Sequence, residues 1–325
     1  MNGFLNVLKP PGMTSFDVVA YLRKLLNTGK KIGHAGTLDP GAAGVLPICI
    51  GNATKVIDYI MDMKKTYRAE LTLGVSTDTQ DSFGNIIEKR NINFDSISVG
   101  NISKVINRFI GQIEQIPPMY SAIRINGRRL YELAREGKIV ERKPRKVYIY
   151  SIDVIYIDKN KILFDVVCSK GTYVRTLCSD IGDALGCGGY MSFLIRKKTG
   201  IFEMDNSYTL EQIAEAAKNG MISELIIPIK EAFKDYNSFY LNAKNEKKFK
   251  NGNYIDYDIH HNSLDFNENL DPDIDLNTDY NHNKNRFSRA GAIVKVFDSK
   301  DQFIGLGEVI QKDDKYFIKP KKMLN

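Results

Sequence analysis

One carboxylate stands apart in this chain. Residues 33–48 read GHAGTLDPGAAGVLPI, so Asp39 sits among glycine, alanine and proline, with His34 as its one ionisable neighbour. Gly33, Gly36, Gly41 and Gly44 allow a tight backbone path and the close approach of a ligand's sugar and phosphate. Pro40 disfavours helical geometry at Asp39 and stiffens the turn. A carboxylate in so rigid and apolar a loop needs a reason to stay charged if it is to accept a proton or attack an electrophile. Arg175 is the candidate cation. It is expected in the first turn of a helix, whose positive dipole end also favours a nearby anion. The same residues fit a plainer aspartate that only caps a turn.

Other chemistry-bearing residue types lead less far. TDTQD at 77–81 lacks the spacing of a calcium loop and reads as a structural turn. Cys49, Cys168, Cys178 and Cys187 form no CxxC pair, so neither a zinc site nor a disulfide framework is suggested, and they read as small buried hydrophobes. His260, His261 and His282 fall in one polar stretch and read as a solvated loop rather than a metal site. No metal and no cofactor is expected.

The elements that must position Asp39 and Arg175 follow from periodicity. TSFDVVAYLRKLLNTG (14–29) reads as a helix, with Thr14 and Asp17 as a capping box, an apolar stripe at Val18, Leu22, Leu25 and Leu26, and Gly29 as its stop. YRAELTLG (67–74) alternates as a strand, with Tyr67, Ala69, Leu71 and Leu73 on one face. Asn101 to Gly111 reads as helical. VYIYSIDVIYID (147–158) and KILFDVVC (161–168) read as two strands joined at Lys159 and Asn160. GTYVRTLCSDIGDALG (171–186) turns into a helix buried through Val174, Leu177, Cys178, Ile181, Ala184 and Leu185, and another capped helix spans Thr209 to Lys218. After residue 235 short strands (292–298, 303–310, 315–320) suggest a small all-β unit.

Charge is unevenly spread. Residues 256–285 carry eight acids and one base; since the whole chain carries +7 and this segment −7, the remainder carries +14. The segment has few large apolar groups and reads as a mobile excursion from the β unit. Arg124 to Lys146 holds nine Lys or Arg against three Glu, the electrostatic footprint of a phosphate-backbone binder or else a solvated helix face. No apolar run approaches the ~18 residues that span a bilayer, and MNGFLNVLKPPG lacks the pattern of a secretory signal, so a cytoplasmic protein is expected.

Several long motifs then point one way. GHAGTLDPGAAGVLPICIGNATK resembles the catalytic loop of the bacterial tRNA pseudouridine synthases that isomerise uridine 55 in the tRNA T arm. NVLKPPGMTSFDVV, KKTYRAELTLGVSTDTQDSFG, IEQIPPMYSAIRINGRRLYELAREG and CSKGTYVRTLCSDIGDALG resemble, in order, that family's Lys-Pro, tyrosine, T-arm insert and arginine motifs. The C-terminal strands resemble the RNA-binding barrel that pseudouridine synthases share with archaeosine transglycosylases.

The resemblance implies an α+β fold, a mixed and largely antiparallel sheet with flanking helices over 1–234. An RNA-contacting insert at 112–146 and a small β-barrel over 235–325, interrupted by 256–285, complete it. It implies catalysis by Asp39, with Arg175 as its partner and the Tyr67 ring on the flipped base, although alternation alone equally fits a core tyrosine at 67. It places Leu194 near the uracil, His34 in the space vacated by flipped nucleotides, and Lys9 and Lys55 at the rim. Tyr173 counts with the substrate-binding residues, and Arg128, Arg129, Arg142 and Lys143 with the phosphate contacts. A monomer acting on the T-arm stem-loop is expected, with no membrane and no obligatory protein partner. Two alternatives are a non-catalytic tRNA-binding or folding protein on the same scaffold and a guide-RNA-dependent synthase; the MYSAIRINGRRLYELAREG stretch of the insert argues against the second.

Overall fold

The computed structural model describes residues 1–92, 98–257, 290–313 and 315–324. Eight strands make the backbone of the main sheet: β1 (Gly3–Lys9), β2 (Ala43–Ile50), β3 (Lys65–Leu73), β4 (Gly111–Gln115), β5 (Arg145–Asp158), β6 (Lys161–Cys168), β7 (Gly189–Thr199) and β8 (Ile226–Ile227). Their spatial order is β8-β1-β2-β7-β3-β6-β5-β4. Each pairing is antiparallel except β2 with β7, which run parallel at Ile195–Ala43 and Arg196–Gly44. Ile32–His34 adds to β2, and Phe202–Glu203 to β7.

The apolar run in β2 is continuous because both of its faces are covered. Val45 and Cys49 enter one core with Phe4 and Phe233, whereas Leu46, Ile48 and Ile50 enter another with Val18 and Leu22. The alternating stretch predicted around Tyr67 is β3, and its Ala69, Leu71 and Leu73 pack with Phe164, Val166, Leu177 and Ile181. Lys159 takes the left-handed conformation in the tight turn between β5 and β6.

Three helices matter for the site. In α1 (Ser15–Leu26) the Thr14 hydroxyl accepts from the Asp17 N–H at 3.0 Å, and Asp17 accepts from the Thr14 N–H at 2.9 Å. It ends at Asn27, whose φ of 38° breaks the helix two residues before the expected Gly29. The helix expected over 101–111 is α2 (Val99–Asn107), capped by Ser98; Gly111, at φ 101°, instead opens β4. The arginine motif forms α3 (Val174–Ala184), buried through Val174, Leu177, Cys178 and Ile181.

The C-terminal strands form a five-stranded sheet in the order Ser238–Tyr240, Ile293–Phe297, Phe303–Lys312, Lys315–Met323, Ile255–Tyr257. It is a curled half-barrel rather than a closed barrel: among the described residues the two outer strands are not paired. The curl nevertheless brings their inward rings, Phe239 and Tyr257, to 5.8 Å between centroids. Leu306 and Leu324 pack into the core containing Phe4 and Val45, fastening this sheet to the main one. The acidic segment expected from 256 starts later, because Asp256 and Tyr257 belong to a strand; the rest of it, 258–285, lies outside the described residues. No helix among the described residues is long and apolar enough to cross a membrane.

Candidate active site

The Asp39 loop runs from His34 to β2 and is tied down along its length. The Ala42 N–H donates to the Asp39 carbonyl at 3.0 Å, closing a turn around Pro40. The Ser15 hydroxyl, at the start of α1, bridges the Leu38 N–H (2.9 Å) and carbonyl (3.2 Å). The Gly12 N–H reaches the Pro40 carbonyl at 2.8 Å. At Gly44, with φ 113°, a Cβ would lie 2.2 Å from the Arg196 carbonyl oxygen, so the parallel junction of β2 with β7 requires glycine there. Ligand approach was the sequence-based reason for these glycines; at Gly44 the approaching backbone is the protein's own.

Two buried cations hold the loop. Lys9, expected at the rim, is completely buried, and its ammonium donates to the carbonyls of Pro10 (2.8 Å), Met13 (2.6 Å) and Pro40 (3.3 Å). Burial pushes its pKa down to about 8, with the Asp39 charge working against that shift. Arg196, 1% exposed, donates from Nε to the Val45 carbonyl (2.7 Å), from Nη2 to Gly36 (3.0 Å) and from Nη1 to Thr37 (3.4 Å). Three backbone carbonyls and one guanidinium thus bond one another inside the protein.

Arg175, the second residue of α3, brings its Nη2 to 3.2 Å from Asp39 Oδ2. Its side chain is 6% exposed, while the Asp39 side chain is 40% exposed. Nη2 also donates to the Tyr120 carbonyl at 2.9 Å, and Nη1 lies 3.5 Å from Asp81 Oδ2. Arg175 therefore bridges two carboxylates. The protein packed around the carboxyl of Asp39 raises its pKa, and the Asp81 charge adds to the rise; Arg175 and Lys9 oppose it.

The remaining expected site residues divide into those near this pair and those elsewhere. Tyr67 lies on β3 against the core containing Leu38 and Leu194; burial raises its pKa, and the charge and hydrogen bond of Arg196 hold the rise back. Leu194 is buried on β7, paired with Ala69. Tyr173 caps α3, its backbone exchanging hydrogen bonds with the Gln115 side chain at 3.0 and 3.2 Å. His34 is half-buried with Nδ1 unpartnered, and burial plus the Arg196 charge lower its pKa, favouring the neutral ring. Lys55 is turned toward the curled sheet, donating to the Met323 carbonyl at 3.0 Å. In the insert, Arg128 pairs with Glu136, Arg129 donates to the Tyr131 hydroxyl at 2.7 Å, Arg142 donates to the Pro117 carbonyl at 3.2 Å, and Lys143 is exposed.

Sequence reasoning missed Asp81 and Arg196. TDTQD is a structural turn, since Asp81 Oδ1 accepts from the Thr79 hydroxyl (2.6 Å) and the Phe83 N–H (3.0 Å); yet Oδ2 of the same carboxylate faces Arg175. A polar turn in sequence carries no mark of the buried cation its last residue will meet. Arg196 had one signal: an arginine on an otherwise alternating buried strand, which must find acceptors inside.

A mixed sheet, a curled C-terminal sheet and a loop carboxylate held by a buried arginine beside a strand tyrosine define a pseudouridine synthase. Residues 23–174 match the TruB family pseudouridylate synthase N-terminal domain, and residues 175–234 match the tRNA pseudouridylate synthase B C-terminal domain. The chain belongs to the TruB family of pseudouridylate synthases. It is 42% identical to the tRNA pseudouridine synthase B of Clostridioides difficile (strain 630) over 325 residues, 99% of each chain. It is 51% identical to that of Alkaliphilus oremlandii (strain OhILAs) over 255 residues, 78% of this chain and 83% of the relative. Among solved structures it resembles a crystal structure of a Cbf5-Nop10-Gar1 complex, with TM-score 0.69 and 25% identity over 99% of this chain and 85% of that one.

Proposed function

We infer that the chain is a tRNA pseudouridine synthase that isomerises uridine 55 of the T arm. The observation that carries the reading is the Asp39–Arg175 pair, 3.2 Å apart with the Asp39 side chain 40% exposed, in a chain of this family. The reaction breaks N1–C1′, turns the uracil in the pocket, joins C5 to C1′ and moves the C5 proton to the medium while N1 gains one, so no atom is gained or lost. Asp39 supplies the carboxylate that attacks C1′ or C6, or takes the C2′ proton on a glycal route. Arg175 keeps it ionised and aimed, Tyr67 faces the base, and Leu194 and Leu38 line the apolar wall. Reaching the uridine requires its extrusion from the folded T loop, and His34 fills the space it leaves.

Around that site we propose a catalytic unit over 1–234 and an RNA-binding half-barrel over 235–325; the family matches end at 234. We also propose that it acts as a monomer: Asp39, Tyr67, Arg175 and Asp81 come together within one chain, so the site calls for no second copy. The test is to incubate the purified protein with unmodified tRNA transcript and map pseudouridine by carbodiimide-primer extension. A stop at position 55 is expected, and an unmodified position 55 overturns the reading.

A further inference from the structure

We propose that Phe83 is a stacking platform for an unpaired base of the RNA substrate, an inference that rests on the RNA-modifying reading above. Phe83 is 78% exposed, although it belongs to a residue type that ordinarily enters the core. Its ring lies across the Asp39 loop: a Cβ on Gly41 would fall 2.1 Å from Cε2 and 2.6 Å from Cζ. Gly41 is two residues beyond Asp39, so their Cα atoms are within about 7 Å of each other. With 78% of the residue exposed, most of the ring is left to solvent beside this loop.

The turn that carries the ring is also tied down. The Phe83 N–H donates to Asp81 Oδ1 at 3.0 Å, and the other oxygen of that carboxylate faces Arg175. The Asn85 N–H and side-chain amide donate to Asp78 at 2.9 and 3.2 Å, closing the same turn. Ile86 and Ile87, which follow, are exposed as well, so the apolar surface continues along the short strand Ile86–Lys89. An exposed aromatic ring on a tied-down turn beside the Asp39 loop fits, on that reading, one ligand chemistry. Extruding a uridine leaves neighbouring bases unstacked, and an aromatic ring restores stacking without reading sequence.

The test compares Phe83→Ala, Phe83→Leu and Phe83→Tyr with the wild type on a T-arm stem-loop transcript. Tyr156→Ala, another exposed ring at the far end of β5, is the control. Thermal midpoints confirm that all variants fold. Phe83→Ala is expected to weaken Kd about tenfold and to raise KM in parallel, with a much smaller change in kcat. Phe83→Leu, which keeps bulk without a π-face, should follow Ala; Phe83→Tyr should stay within about twofold of the wild type. Replacing each loop nucleotide by an abasic one should reveal a position whose loss weakens the wild type but not Phe83→Ala. The proposal is overturned if Phe83→Ala binds like the wild type, if no abasic position couples to Phe83, or if kcat falls with Kd unchanged. A wild type that binds the transcript but forms no pseudouridine breaks the functional reading instead, independently of the Kd series.

Discussion

The Asp39 loop and the 112–146 insert are both rich in cations, and they are built in opposite ways. Around Asp39 each cation is buried and engaged: Lys9 and Arg196 by backbone carbonyls, Arg175 by two carboxylates and a carbonyl. In the insert the Arg128 side chain is 46% exposed and its partner is the similarly exposed Glu136. An exposed pair of that kind contributes ~0–1 kcal/mol, whereas removing one partner of a buried pair costs ~3–5 kcal/mol. On the proposed reading the loop fixes geometry where bonds are exchanged, and the exposed Arg128 of the insert is free to trade its carboxylate neighbour for phosphate oxygens.

The sharpest way to break this contrast is Asp39→Asn. The change is nearly isosteric, so Kd for tRNA should move by no more than a few fold while the single-turnover rate falls by about 10³ or more. Near-normal turnover would remove Asp39 from the chemistry. Asp81→Asn comes next. It should slow turnover by about 10- to 100-fold by releasing one side of Arg175. It should also shift the pH profile. If ionised Asp39 is the working form, its raised pKa means that activity climbs with pH through that raised value. The Asp81 charge is one cause of the rise, so its removal should carry the acid limb to lower pH. An acid limb that stays in place in Asp81→Asn would separate the two carboxylates.

The same two regions differ in how far the sequence exposes them. Motif and periodicity sufficed to place Arg175 in the first turn of a helix and Tyr67 on a strand, because capping and alternation are local. The partners of Arg196 and Asp81 are not local. Arg196 finds the Gly36 carbonyl 160 residues away, and Asp81 finds Arg175 94 residues away. Lys9 shows the same limit from the other side: the resemblance implies a rim cation, and only the closure of three carbonyls over it makes it a buried tie. The half-barrel is legible in its strands and not in its closure, which depends on how far the outer strands curl toward each other.

If the insert's charges are held for phosphate, replacing Arg128, Arg129 and Lys143 by alanine should leave kcat at saturating RNA almost unchanged. It should instead weaken binding at low salt and flatten the dependence of log K on log salt. Each phosphate that is no longer neutralised takes about 0.9 off that slope on duplex and about 0.7 on single strands. Adding Arg142→Ala is a sharper probe, since its bond to the Pro117 carbonyl means the insert itself should loosen. A slope that does not change in the triple variant would mean that the RNA lies elsewhere.

The smallest effect is expected from the acidic segment. Residues 256–285 carry −7 in a chain otherwise at +14, so they would repel RNA if they faced it. The strand Ile255–Tyr257 pairs with Lys315–Met323 and buries Ile255 and Tyr257, so a replacement must begin after Tyr257. Exchanging 258–285 for a short Gly/Ser linker should leave turnover and the melting temperature nearly unchanged, because changing the length of a loop alters its closure entropy by only about 0.6 kcal/mol per doubling. It should tighten tRNA binding modestly at low salt, an advantage that fades as salt screens the charge. A melting temperature that drops by many degrees would show that the segment supports the curled sheet. Weaker binding at low salt would show that its acids work with the basic surface rather than against it.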